Sequence, residues 1–254
     1  MKPSFRNVMS CGLSAVFLTG TSFVLNAEPH ETDAGAKGVV ELFTSQGCSS
    51  CPPADRLLGT LSRNPGMIAV SFPVDYWDYT GWKDTLASPI FTARQKAYAS
   101  ARGDGHIYTP QIVVDGRTDV VGSDLDEVDR AIEFNKGRGG ALTVPIRLRD
   151  SAGTMHVDIG AATSNLERVE ANVFILRVAH TKTVTIERGE NRGRSITYTN
   201  VVRAIRKIGE WHGDPAAFEI TELKAEDEGY VVLLQQGTPE QPGTILAAAK
   251  SSSL

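Results

Sequence analysis

The chain has 254 residues, 26 basic and 30 acidic side chains, a formal charge of −4, and 41% hydrophobic residues. That is the composition of a folded globular protein, and it lacks the basic excess that nucleic-acid binding requires. Three cysteines in a chain of this length are too few for a disulfide-stapled scaffold.

The first residues, Met1-Lys2-Pro3-Ser4-Phe5-Arg6, are basic, and Val8 to Ala27 is uncharged and apolar or small. Glu28 then turns the chain polar. This pattern reads as a secretory signal peptide over residues 1–27, with an uncleaved N-terminal anchor as the alternative. Cys11 lies near the start of the apolar stretch, not at its end, so a lipoprotein signal is not expected. Removal of residues 1–27 leaves 24 basic and 30 acidic residues, a charge of −6, and two cysteines. The expected location is periplasmic or secreted. No second long apolar run exists, so no membrane span is expected after cleavage.

Residues 28–37 are polar and read as a disordered lead-in. From there strand and helix alternate. Val39 to Phe43 reads as a buried strand, Pro53 to Ser62 as a helix with proline in its first turn, and Met67 to Phe72 as the next strand. Residues 73–87 form an aromatic-acidic loop carrying Asp75, Tyr76, Trp77, Asp78, Tyr79 and Trp82. It reads as a plug against the following helix, or as a cover for the cysteines. Ser88-Pro89 starts a helix through Ala101. Gln111 to Val114, an Asp115-Gly116 turn and Thr118 to Val121 read as a hairpin. Asp124 to Asn135 reads as a closing helix.

Gly137-Arg138-Gly139-Gly140 breaks the chain, and its character changes. Leu142 to Leu148 and Met155 to Ile159 alternate apolar with polar residues. Further strands are expected over 172–179, 183–187, 198–205, 217–223, 230–235 and 244–249. Short alternating strands at this spacing suggest a β-sandwich over 139–250.

Both remaining cysteines sit in Gln46-Gly47-Cys48-Ser49-Ser50-Cys51-Pro52-Pro53, at the junction of a strand and a helix. A thiol at a helix N-terminus meets unpaired N–H groups and the positive end of the helix dipole. Both favour the thiolate, which is the nucleophile. The order strand, Cys-x-x-Cys, helix, strand, helix, hairpin, helix, with Tyr108-Thr109-Pro110-Gln111 before the third strand, resembles the thioredoxin superfamily over residues 38–138. That resemblance implies an α/β domain with a central mixed sheet flanked by helices, followed by the all-β part. It implies Cys48 as the exposed attacking thiolate, Cys51 as the resolving thiol, and Pro110 as a cis proline beside them. Glu41 would match a buried acid of the first strand that moves protons at the resolving cysteine, provided one residue is inserted before Cys48. The other reading of Glu41 is a strand-end carboxylate in solvent or in a salt bridge. The stretches Leu42 to Asp55 and Gly189-Glu190-Asn191-Arg192-Gly193-Arg194 are similar to an uncharacterised family of secreted bacterial proteins that joins two such domains.

The expected function is an extracytoplasmic thiol–disulfide oxidoreductase acting on protein thiols and disulfides, with an unknown redox partner and no cofactor. The alternatives are a binding or adaptor module with a structural disulfide, and a soft-metal carrier for Cu(I). Ser49-Ser50 leaves the redox direction open. No metal site is expected at His180 or His212, which lack clustered partners, and His106, near Pro110, reads as polar surface with an approach to the cysteine site as the alternative.

Overall fold

The protein is described here from a computed structural model, which covers Met1 and residues 30–32, 35–151, 153–163, 170–221 and 225–254. The expected signal segment lies outside the described residues. Among the described residues no helix is long and apolar enough to cross a membrane.

Among the described residues the chain forms a mixed α/β protein with three α-helices and two sheets. The larger sheet has eight strands. Four come from the first part of the chain: β2 (Gly38–Thr44), β3 (Met67–Pro73), β4 (Gln111–Val114) and β5 (Thr118–Val121). Four come from the second: β8 (Ala171–Thr185), β9 (Ser195–Trp211), β11 (Glu228–Thr238) and β12 (Gln241–Lys250). Their order is β12-β11-β8-β9-β3-β2-β4-β5. β2 and β3 run parallel, and β4 and β5 are antiparallel to their neighbours.

Helix α1 (Pro52–Leu61) connects β2 to β3, α2 (Pro89–Arg102) follows β3, and α3 (Leu125–Asn135) follows β5. These bounds lie within a residue or so of the sequence expectation because local chemistry marks them. The Ser88 hydroxyl accepts from the Ile90 N–H, and the Asp124 carboxylate accepts from the Glu127 N–H, each satisfying an orphan donor of a helix start. Such a cap stabilises a helix by about 1 kcal/mol. Gly103 closes α2 with φ of 84°. Asp115 and Gly116 both take positive φ, the geometry of the expected two-residue hairpin turn.

β2 is buried along its whole length because helices cover both of its faces. Val40 and Leu42 face α1 and α3, packing with Ala54, Leu58 and Val128. Val39 and Phe43 face the other way and pack with Phe91 and Tyr98 of α2.

The smaller sheet joins β1 (His30–Thr32), β6 (Ile146–Ser151), β7 (Thr154–Ile159) and β10 (Ala216–Ile220) in the order β1-β6-β7-β10. Leu148, Val157 and Ile220 from this sheet pack against Val173, Val232 and Leu246 of the larger one. The second part of the chain is thus β-rich, with two sheets packed on each other, and the larger of them is the continuation of the first part's own sheet. The sheet crosses the expected boundary near Gly139 where Ser71 of β3 meets Val201 of β9. There Asn200, at φ of 48°, turns its side-chain amide onto the Ala69 carbonyl at 2.9 Å. Residues 30–32, expected within a disordered lead-in, pair with β6. The two strands expected over 172–179 and 183–187 are one continuous strand, β8, because the long β9 pairs with it from Ala171 to Thr185.

Candidate functional site

Cys48 and Cys51 form a disulfide with Cα atoms 5.4 Å apart. Cys51 is the N-cap of α1, and the two prolines after it fill the first helical positions. That placement costs no hydrogen bonds, since the first N–H groups of a helix have no intrahelical partner. Ser49 and Ser50 between the cysteines are exposed, and the Ser50 hydroxyl lies 3.4 Å from Cys48 Sγ.

The attacking cysteine was expected to be exposed, but the structure buries it. Cys48 is 1% exposed and Cys51 0%. Two loops pack on the cysteine loop. The first is the aromatic loop after β3. It touches the cysteine loop so closely that a Cβ at Gly47 would lie 2.9 Å from Trp77 Cβ. Trp77 Nε1 donates to Thr109 Oγ1 at 2.7 Å, and Trp82 Nε1 donates to Gln46 Oε1 at 2.8 Å. Asp84 accepts from the Gln46 N–H at 2.8 Å, so the loop is fastened at both ends. It serves in both expected ways, since Tyr76 and Trp77 also pack against the core that α2 closes.

The second cover comes from the connection between β8 and β9, far away in sequence. Asn191 Nδ2 donates to the Gln46 carbonyl at 3.0 Å and the Cys48 carbonyl at 2.8 Å. The Ser49 N–H donates to Glu190 Oε2 at 3.3 Å. Sequence reading singled out this stretch as a family likeness but gave it no place in the site.

The Thr109-Pro110 bond is cis, as the resemblance implies. Pro110 is buried, and its carbonyl accepts from the Gly122 N–H at 2.9 Å. Trp77 bridges Thr109 and the cysteine loop, which brings Pro110 and the disulfide into one assembly.

Glu41 is not part of that assembly. It faces α2, on the side of β2 opposite α1. Its Oε1 accepts from Arg94 Nε at 2.9 Å and Nη2 at 2.8 Å, and its Oε2 accepts from the Tyr98 hydroxyl. Gln235 of β11 joins through its contacts with Arg94 and Tyr98. The expected proton-moving role is corrected here: both oxygens are occupied in a salt-bridged network that ties β2 and α2 to β11. The alternative reading, a carboxylate in a salt bridge, describes it, although the pair is buried.

The acid near the cysteines is Asp55. It lies on α1 one turn beyond Cys51, and side chains four apart share a helix face. Thr44 Oγ1 donates to Asp55 Oδ1 at 2.8 Å, while Oδ2 is buried with no hydrogen-bond partner among the described residues. Burial pushes its pKa up to about 7, the Thr44 hydrogen bond opposes this, and the nearby Asp84 charge adds to it. Asp84 is itself pushed up by burial, although the N–H groups of Gln46, Leu86 and Ala87 hold its carboxylate. The Tyr198 hydroxyl is pushed up by burial and by the charges of Asp55 and Asp84, which places the three groups in one region under α1. A signal for Asp55 exists in the sequence. It sits three residues before Leu58 and four after Cys51, on the face that α1 buries.

Among the described residues no group of His, Cys, Asp and Glu side chains is arranged to hold a metal ion. No curated protein matches the sequence. The profile of the family described as "Protein of unknown function (DUF1223)" matches residues 39–235.

The chain belongs to this family.

A crystal structure of protein AGR_C_4864 from Agrobacterium tumefaciens is 32% identical, with a TM-score of 0.73, covering 85% of this chain and 94% of that one. HBP35 of Porphyromonas gingivalis is 9% identical with a TM-score of 0.60, covering 86% of this chain and 75% of that one. The first likeness extends over most of both chains. The second concerns the fold alone.

Proposed function

We propose that residues 38–138 form a thioredoxin-like unit and that the Cys48–Cys51 pair makes this family member a thiol–disulfide oxidoreductase acting outside the cytoplasm. The strand order β3-β2-β4-β5, with the cysteines at the β2–α1 junction and Pro110 immediately before β4, supports the likeness. The basic, then apolar, leader supports export, and disulfide chemistry persists in oxidising compartments. The observation that carries the reading is the position of the disulfide. Cys51 caps α1, and Cys48 lies in the turn just before it. A thiolate released there meets the N-terminal N–H groups of the helix.

The reaction is thiol–disulfide exchange. A partner thiolate attacks Cys48 Sγ. The Cys48–Cys51 bond breaks, and Cys51 leaves with the electron pair and takes up a proton. The partner is then joined to Cys48. Its second thiolate attacks the partner sulfur of that mixed disulfide and releases Cys48. The partner dithiol has lost two electrons, and the protein's cysteines have gained them. The same steps in reverse oxidise the protein and reduce a partner. Asp55 holds its proton near neutral pH one helical turn from Cys51, which suits it to supply the departing sulfur.

Cys48→Ser should abolish exchange with a reduced or oxidised protein substrate, and Cys51→Ser should accumulate mixed disulfides through Cys48, seen on non-reducing gels. A wild-type protein whose pair does not titrate with any redox buffer would overturn the proposal. The burial of both sulfurs supports a second reading, a binding module with a structural disulfide. On that reading, alanine at both positions lowers stability and leaves partner binding unchanged.

A further inference from the structure

An oxidised pair that must meet a partner thiolate is closed off by its own protein. The attacking sulfur has to approach Cys48 Sγ along the S–S axis, and Cys48 is 1% exposed. One of the two covering loops has to move. They are held very differently.

The aromatic loop is built into the body of the protein. Asp84 accepts three backbone N–H bonds, from Gln46, Leu86 and Ala87. Trp77 is tied to Thr109, and Tyr76 and Trp77 pack against the core beneath α2. The β8–β9 connection has a different anchorage. Arg188, Glu190, Arg192, Gly193 and Arg194 are all exposed, and within Gly189–Arg194 only Asn191 is buried, at 1%, while Ile186 at the base of the connection is buried at 0%. The turn is internally rigid. The Gly193 N–H donates to the Ile186 carbonyl at 2.7 Å, and the Ile186 N–H donates to the Arg194 carbonyl at 2.9 Å. Arg194 Nη1 donates to Asn191 Oδ1 at 3.0 Å, which aims the amide nitrogen at the carbonyls of Gln46 and Cys48. Glycines at 189 and 193 take φ of 74° and 80°, a conformation that favours glycine and sets the turn's shape.

We propose that the Gly189–Arg194 turn is a strap that controls access to the disulfide, with Asn191 as the pin that holds it shut. Asn191 is a positioning residue. It touches backbone carbonyls of the cysteine loop and not the reacting sulfurs. The strap swings as a preformed unit when two donated hydrogen bonds, the Glu190 contact to the Ser49 N–H and the close approach of Gly189 to Trp82 and Thr80 are released. Such a release is a local opening and leaves the sheets intact. The cysteine motif lies in the first part of the chain and its closure in the second, so access to the thiol chemistry is controlled by the β-rich part. Glu190 adds a link to redox state. In the oxidised protein its carboxylate takes the Ser49 N–H, a donor that a Cys48 thiolate would compete for after reduction. Two negative groups sharing one donor repel, so reduction favours release of the strap.

This inference rests on the redox reading of the pair, but its test does not. The rate of disulfide reduction by excess dithiothreitol and by glutathione is measured for the full mature protein and for Asn191→Ala, with hydrogen exchange read alongside. Asn191→Ala should be reduced about tenfold faster or more by both thiols, as expected from losing two hydrogen bonds that hold the closed state. The Ser49 amide, which Glu190 holds in the closed state, should exchange faster, while the Ile186 and Gly193 amides inside the turn and amides in β2 and β3, such as Val40 and Val70, stay as protected as in wild type. Glu190→Gln should weaken the dependence of strap exchange on redox state. Equal reduction rates in wild type and Asn191→Ala would overturn the strap. So would faster reduction accompanied by loss of protection at Val40 and Val70, which would mean global unfolding. A pair with a potential too low for exchange would end the oxidoreductase reading, yet the rate ratio would still decide whether the strap exists.

Discussion

Glu41 and Asp55 are both out of water, on opposite faces of the same strand layer, and they do different things there. Glu41 faces α2, and both of its oxygens are taken by Arg94 and Tyr98. Asp55 faces β2 from α1, with one oxygen on Thr44 and the other without a partner among the described residues. Glu41 has the Arg94 guanidinium in contact, so it acts as a fixed tie between β2, α2 and β11. Asp55 has no such counter-charge in contact, and burial moves its pKa to about 7. A buried carboxylate is therefore not by itself a proton-moving group. The counter-charge and the free lone pairs decide, and of the two only Asp55 shares a helix face with Cys51.

Removing the counter-charge on the Glu41 side tests the contrast most severely. Arg94→Ala strands the Glu41 carboxylate and should lower stability by about 3–5 kcal/mol in urea unfolding at pH 7. A loss below about 1 kcal/mol would show that the network is not holding the sheet to α2.

Asp55→Asn should have the opposite sign. The folded pKa of about 7 lies above the ordinary 3.8, so the folded protein keeps a proton that the unfolded chain releases. Between those two pH values stability falls as pH rises, and the fall is complete above about 7. Wild type should therefore lose on the order of 4 kcal/mol relative to Asp55→Asn between pH 4 and pH 8. Parallel stability curves for the two proteins would remove the argument for a proton at Asp55. Exchange kinetics should change too, with Asp55→Asn losing the pH dependence of Cys51 release near neutrality.

The smallest effect lies at the junction of the two parts of the large sheet. Asn200→Ala loses the bond to the Ala69 carbonyl and leaves a Cβ at φ of 48°. It should cost about 1–2 kcal/mol, and Asn200→Gly less, because glycine tolerates the backbone. Equal costs would mean that the hydrogen bond, not the backbone, sets the requirement.

Much of this arrangement was legible in the sequence wherever local chemistry marks it. Ser88-Pro89, Asp124 and Asp115-Gly116 announce two helix starts and a turn, and all three are found in place. The Cys48–Cys51 pair and the cis bond before Pro110 are likewise where the motif put them. The assignment of Glu41 failed for a physical reason. A strand buried on both faces has no polar–apolar alternation to say which helix a given residue meets. Asp55 was readable from its spacing to Leu58 on α1, but a helix-start acid is as often there for the dipole. The strap could not be placed, because Asn191 lies 143 residues from Cys48, and nothing local in Gly189–Arg194 points to a distant carbonyl. The shared sheet escaped for a similar reason, since one bridge between Ser71 and Val201 joins two parts that each read as complete.

The reduction potential of the Cys48–Cys51 pair, measured by equilibration of the protein with defined thiol buffers, tests the central claim most directly. A redox-active pair at the start of α1 should titrate as a two-electron couple between about −120 and −270 mV, within the span of disulfide-exchange proteins. A potential below about −300 mV, where structural disulfides of secreted proteins lie, would contradict it.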